Sequence, residues 1–118
     1  MFQSILARLS ARAGARWAMI VGNDGILLEA DNRAFRTQAE GLAAEYAGLM
    51  RMSRKAAADT DMGPMQSSLL VTDQAKILFQ TLTDDYFLVV CLELDAHAGK
   101  AFYEISRAVA PIAEELVF

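Results

Sequence analysis

Tyr86-Phe87-Leu88-Val89-Val90-Cys91-Leu92 is the longest strictly apolar run in this chain, and it follows the turn-forming triplet Thr83-Asp84-Asp85. A strand with one wet face alternates apolar and polar residues, because successive side chains point to opposite faces. This run does not alternate. It must therefore lie at the centre of a sheet that is covered on both faces. It is also far shorter than the ~20 residues a membrane-crossing helix requires, so no membrane insertion is expected.

Working outward, residues 65–72 and 75–82 read as two further strands separated by Asp73-Gln74, and the triplet at 83–85 joins the second to the central run. Connections this short make antiparallel hairpins. Another pair of strands, residues 17–21 and 26–29, flanks Gly22-Asn23-Asp24-Gly25, whose Asp-Gly step is a strong hairpin signal.

Three helical segments complete the pattern. The first, about residues 2–12, carries Phe2, Ile5, Leu6 and Leu9 on one face and stops at Gly14. The second opens at Thr37, which with Glu40 three residues later forms a capping box. Ala39, Leu42, Ala43, Tyr46, Leu49, Met50, Ser53 and Ala57 then recur at helical spacing, up to a stop at Met62-Gly63-Pro64. Asp95 is expected to cap the third, which reaches about residue 116 with Phe102, Ile105, Val109, Ile112 and Leu116 facing inward. Pro111 lies inside it and, by removing one backbone donor, should kink it. The order α-β-β-α-β-β-β-α predicts one three-layer α/β domain over residues 1–118. Its five-stranded antiparallel sheet would carry one helix on one face and two on the other.

Composition narrows the function. Of 118 residues, 54% are hydrophobic, which leaves apolar surface to explain. The net charge of −4 argues against nucleic acid as a partner, since phosphate neutralisation needs a basic surface. Cys91 is the only cysteine, so no internal disulfide forms and a cytoplasmic location is expected, with the thiol as inert core. Residues 1–23 hold Arg8, Arg12 and Arg16 and no acid. That pattern also suits an organellar transit peptide. With no linker after it, the expectation is a retained helix packed on the sheet.

No arrangement for catalysis emerges. His97 is the one histidine; with Asp95 it offers two metal ligands, and no second histidine or available cysteine completes a set. A nucleophilic triad would also need His97, yet the cysteine lies in the core strand. Gly22-Asn23-Asp24-Gly25 is followed by no Gly-Lys-Ser/Thr, so it is not a phosphate loop. Asp84 and Asp85 are turn residues. The chain reads as a non-enzymatic protein that takes no cofactor.

Several ordered signatures resemble the roadblock / dynein light-chain family, in its bacterial GTPase-activating-partner form. They are Ile5-Leu6…Leu9…Gly14, then Met19-Ile20-Val21…Asp24-Gly25-Ile26-Leu27-Leu28, then the long second helix. Ser68-Leu69-Leu70-Val71…Ile77-Leu78-Phe79, Asp84-Asp85-Tyr86-Phe87-Leu88-Val89-Val90 and Ala98-Gly99 follow in the same order. The resemblance implies a homodimer or heterodimer that binds and regulates a small Ras-like GTPase, with no catalytic residues of its own. Eukaryotic members of the family serve as scaffolds or motor subunits, so a passive adaptor is the alternative. Longin and sensory PAS-type domains have related layouts, but a PAS domain would place several short helices where this chain has one long one.

Two surfaces are expected to carry the interaction. The strand at 65–72 should be a sheet edge; it has no charge between Pro64 and Asp73, whereas the opposite edge carries Glu29 and Asp31. An uncharged edge is a template for pairing, so Ser67, Ser68, Leu69 and Leu70 are predicted to form a homodimer interface. On the second helix, Gly41, Ala44, Gly48, Met52 and Lys55 fall opposite the core stripe, with Arg51 at its margin. Each glycine inside a helix costs ~1 kcal/mol relative to alanine, so a close external partner is the expected reason for two of them. Arg51, Arg54 and Lys55 would steer an acidic partner to that face.

Overall fold

The computed structural model describes residues 2–117. The elements are α1 (Phe2–Ala13), β1 (Ala15–Gly22), β2 (Leu27–Ala30), a 3-10 turn (Arg33–Phe35), α2 (Arg36–Asp59), β3 (Ser67–Val71), β4 (Lys76–Thr81), β5 (Tyr86–Leu92) and α3 (Ala98–Glu115). The five strands form one antiparallel sheet in the order β2-β1-β5-β4-β3. The apolar run is indeed the central strand. Its register runs Gly22↔Tyr86 to Ala15↔Leu92 against β1, and Thr81↔Phe87 to Lys76↔Leu92 against β4.

Alternation along β5 separates two cores. Phe87, Val89 and Cys91 join Met19, Val21 and Phe79 beneath Ala39, Ala43, Ala47 and Met50 of α2. Leu88, Val90 and Leu92 join Ala18, Ile20 and Leu78 beneath Leu6 and Leu9 of α1 and Ile105 and Ile112 of α3. Each such buried Leu, Ile, Val, Phe or Met side chain is worth roughly 1.5–3 kcal/mol of transfer free energy, which offsets much of the ordering cost of its segment. The first helix is thus an integral layer. Gly14, at φ +70, turns the chain from α1 into β1, a conformation L side chains rarely adopt.

The helix starts differ from the expectation. Thr37 caps nothing: α2 already begins at Arg36, and Phe35 precedes it with helical backbone angles and no side-chain cap. Asn32 Oδ1 instead accepts from the Phe35 amide at 2.9 Å, capping the 3-10 turn that leads into α2. The turn moves the exposed amides upstream of Thr37, so its hydroxyl has no helix end to satisfy. At α3 the cap is His97, not Asp95; its Nδ1 accepts from the Lys100 amide at 3.2 Å. The imidazole folds back so far that a Cβ on Gly99 would stand 3.0 Å from it. α3 continues through Pro111 to Glu115.

Candidate partner-binding site

The two sheet edges bracket the candidate surfaces. At one edge β3 pairs only with β4, from Ser67↔Gln80 to Val71↔Lys76. Thr81 fixes the entry to this strand, its amide donating to the Gln66 carbonyl at 2.8 Å and its hydroxyl to the Met65 carbonyl at 2.9 Å. Leu69, Leu70 and Val71 are 40%, 38% and 59% exposed, although they alternate between the two faces. Helix α2 lies chiefly over β1 and β2, so it does not shelter this end of the sheet. Next to it an open groove of about 690 Å³ runs between the last turns of α2 and β4, with Ala58, Pro64, Met65 and Thr81 among its walls. The predicted interface residues Ser67, Ser68, Leu69 and Leu70 therefore share one strand, the two serines half-buried and the two leucines exposed.

The outer face of α2 emerges largely as expected. Gly41, Ala44, Arg51, Met52 and Lys55 are exposed, and Gly48 is half-buried. Met52 stands 72% exposed. A Cβ on Gly41 would meet nothing within 4 Å, and one on Gly48 only the Arg51 guanidinium at 3.7 Å. Neither glycine has a positive φ. Nothing within the described chain therefore demands glycine at either position.

The basic residues of this face are less free than their spacing implies. Arg51 Nη1 donates to the Asn23 carbonyl at 3.2 Å, tying α2 to the β1–β2 turn. Lys55 pairs with Asp59 one turn on. That turn itself presses on the helix: Gly25 has φ +88, and a Cβ there would lie 3.5 Å from the Ala44 backbone. Ala44 thus splits its roles, its backbone facing the turn while its residue surface stays open. Underneath, Trp17 stacks on Phe35 at 4.7 Å between ring centroids and lies 6.4 Å from Tyr46, which meets Phe79 edge-on at 5.3 Å. This aromatic run anchors α2 over the sheet, and periodicity could not have revealed it.

Burial shifts two titratable groups beneath α2. It pushes the Cys91 thiol and the Tyr46 phenol above their ordinary pKa values, which favours the protonated form of each. Arg16 is held more firmly protonated, first by its hydrogen bond to Glu93. It also donates to the Gln74 carbonyl at 2.8 Å and so fastens the β3–β4 turn to the end of β5. Among the described residues no cluster of three acidic, histidine or cysteine side chains could hold a metal ion. No helix among them is long and apolar enough to cross a membrane.

The three-helix, five-stranded layout with a bare β3 edge is that of a roadblock domain. Residues 1–92 match the Roadblock/LC7 domain family model, and the chain belongs to that family. Its fold is similar to a Roadblock/LC7 domain from Streptomyces avermitilis, with a TM-score of 0.89, 20% identity and 98% of each chain covered. It is similar to MglB of Myxococcus xanthus, with a TM-score of 0.89 and 16% identity over 97% of this chain and 93% of that one. The gliding protein MglB of Thermus thermophilus aligns with a TM-score of 0.82 and 21% identity over 95% and 87%. Comparison with curated protein sequences finds no match.

Proposed function

We propose that this chain is a cytoplasmic, non-enzymatic regulator of a small Ras-like GTPase, joined into a homodimer through β3 and binding the GTPase through the outer face of α2. The partner class follows from the roadblock resemblance. The observation that carries the choice of surface is the pair Gly41 and Gly48, for which the protomer itself has no use. Without side chains there, another backbone can approach the helix closely, with Met52 as an adaptable apolar contact beside it.

Stimulation of hydrolysis, if this surface provides it, acts through the GTPase's own groups. Arg51 is held by the Asn23 carbonyl and lies on the flank of the helix, so it is poorly placed to reach into a nucleotide site as an arginine finger. A docked helix can instead order the GTPase loop that positions the attacking water. Homodimerisation has a separate support in the unpaired, apolar β3 edge, whose continuous antiparallel pairing across a two-fold axis would satisfy its free amides and carbonyls. The lone buried Cys91 fits a reducing compartment.

The test is the double variant Gly48→Glu with Arg51→Glu. It should abolish binding to a Ras-like GTPase by titration calorimetry, and leave the thermal midpoint within a few degrees of wild type. Undiminished binding would place the site elsewhere. Single-turnover GTP hydrolysis with wild-type protein then separates the roles: faster hydrolysis marks an activating partner, and an unchanged rate with intact binding marks the passive adaptor.

A further inference from the structure

The opposite side of the sheet carries a second feature that the GTPase reading does not use. Between α1 and α3 runs a cleft of about 160 Å³ whose floor includes Ile5, Leu9 and Ala108 and whose rim carries Arg8, Arg12 and Arg107. The three arginines are exposed. None of their guanidinium groups makes an ion pair or a hydrogen bond among the described residues, in contrast to Arg16, Arg36, Arg51 and Lys55. Arg107 instead rests over the ring of Tyr103, 5.7 Å from its centroid, and Tyr103 is itself 58% exposed. Glu104 is the sole carboxylate lining the cleft.

We infer that the α1–α3 cleft is a second docking surface, for an acidic segment of a partner protein that seats one apolar side chain between the arginines. Charge complementarity selects the occupant. Residues 2–23 contain no acid, and the local surplus of positive charge sits on a chain whose net charge is −4. Unpaired guanidinium groups keep their fork of donors free for carboxylates, which they bind bidentately. The volume suits a single leucine-sized group, and an arginine stacked on an exposed tyrosine is the kind of pair that anchors interfaces. A membrane surface is less well matched. The apolar part is recessed as a cleft floor, and α1 presents no large exposed apolar residue for insertion. The cleft lies within one protomer, so it does not depend on the proposed dimer. In a dimer paired through β3, two copies would open on the same side and bind a doubly acidic chain with avidity.

The probe is a fluorescein-labelled peptide of repeated Glu-Glu-Leu units, followed by fluorescence anisotropy with the full chain and no GTPase present. Saturable binding is expected, weakening about tenfold from low to physiological salt as screening grows. The triple variant Arg8→Gln, Arg12→Gln, Arg107→Gln should bind at least about tenfold more weakly, and the corresponding triple lysine variant should recover part of the loss. Arg51→Glu with Lys55→Glu, which alters only the α2 face, should leave peptide binding unchanged, and amide shifts on titration should map to α1 and α3. The inference is overturned if the triple glutamine variant binds like wild type, or if the shifts map to α2. It is equally overturned if the peptide is ignored while phosphatidylserine vesicles are bound through the same arginines. Because no GTPase is present, failure here leaves the α2 reading untouched, and failure at α2 leaves this one standing.

Discussion

The two edges of the sheet manage the same hazard in opposite ways. β2 is only four residues long, and Glu29 on it pairs with Arg36 of α2 at 2.9 Å. Helix α2 packs over that end of the sheet. β3 carries no charged residue, and its leucines and valine stand exposed. A short, ion-paired strand resists edge-to-edge pairing, and a bare apolar one invites it. The contrast gives the molecule a direction: one edge is short and charged, and the other is left open and apolar.

Breaking that contrast should have its largest effect at β3. Leu69→Lys with Leu70→Lys should weaken the homodimer about a hundredfold or more, roughly 3 kcal/mol, because a two-fold axis doubles the buried charge. Analytical ultracentrifugation over a dilution series reads this directly, and a dimer of unchanged affinity would show that β3 is not the interface. Proline at Ser67 and, separately, at Ser68 probes the two amide directions of the strand. The change that removes an outward amide should dissociate the dimer with little loss of protomer stability; the one that removes a β3–β4 bond should cost roughly 2–3 kcal/mol of stability in urea melts.

Two smaller effects sharpen the comparison. Gly41→Ala with Gly48→Ala should stabilise α2 by up to ~1 kcal/mol per site, since neither glycine is needed for its backbone conformation. The same variant should weaken GTPase binding, by calorimetry, if close approach is what the glycines serve. At the charged edge, Glu29→Gln breaks the exposed pair with Arg36 and should cost less than ~1 kcal/mol. It should leave the sedimentation coefficient unchanged, and a shift toward larger species would mean that β2 too depends on its charge to stay unpaired.

Legibility from sequence followed the range of the interaction. The β3 edge was readable because a run without charge between Pro64 and Asp73 lies within one strand. The outer face of α2 was readable because helical spacing alone sets which residues oppose the core stripe. Arg51 departs from its helical spacing in one respect: its hydrogen bond to Asn23 comes from a turn 28 residues away, so its side chain is partly committed. The capping box at Thr37 and Glu40 failed for a related reason. Its motif was present, yet the preceding 3-10 turn relocated the helix entrance to Asn32.

What the sequence by itself determined is the order of elements, the central position of β5, and which edge would be bare. These depend on period, turn chemistry and local charge, all expressed within a few residues of each other. Only the tertiary structure decided that Trp17, Phe35, Tyr46 and Phe79 would stack beneath α2, and that Arg8 and Arg12 would face Arg107 across a cleft. Such groupings join residues tens of positions apart, and they come from how helices and strands are placed on one another. Local pattern carries no record of that placement, because the same amphipathic helix can lie on a sheet at many positions along its length.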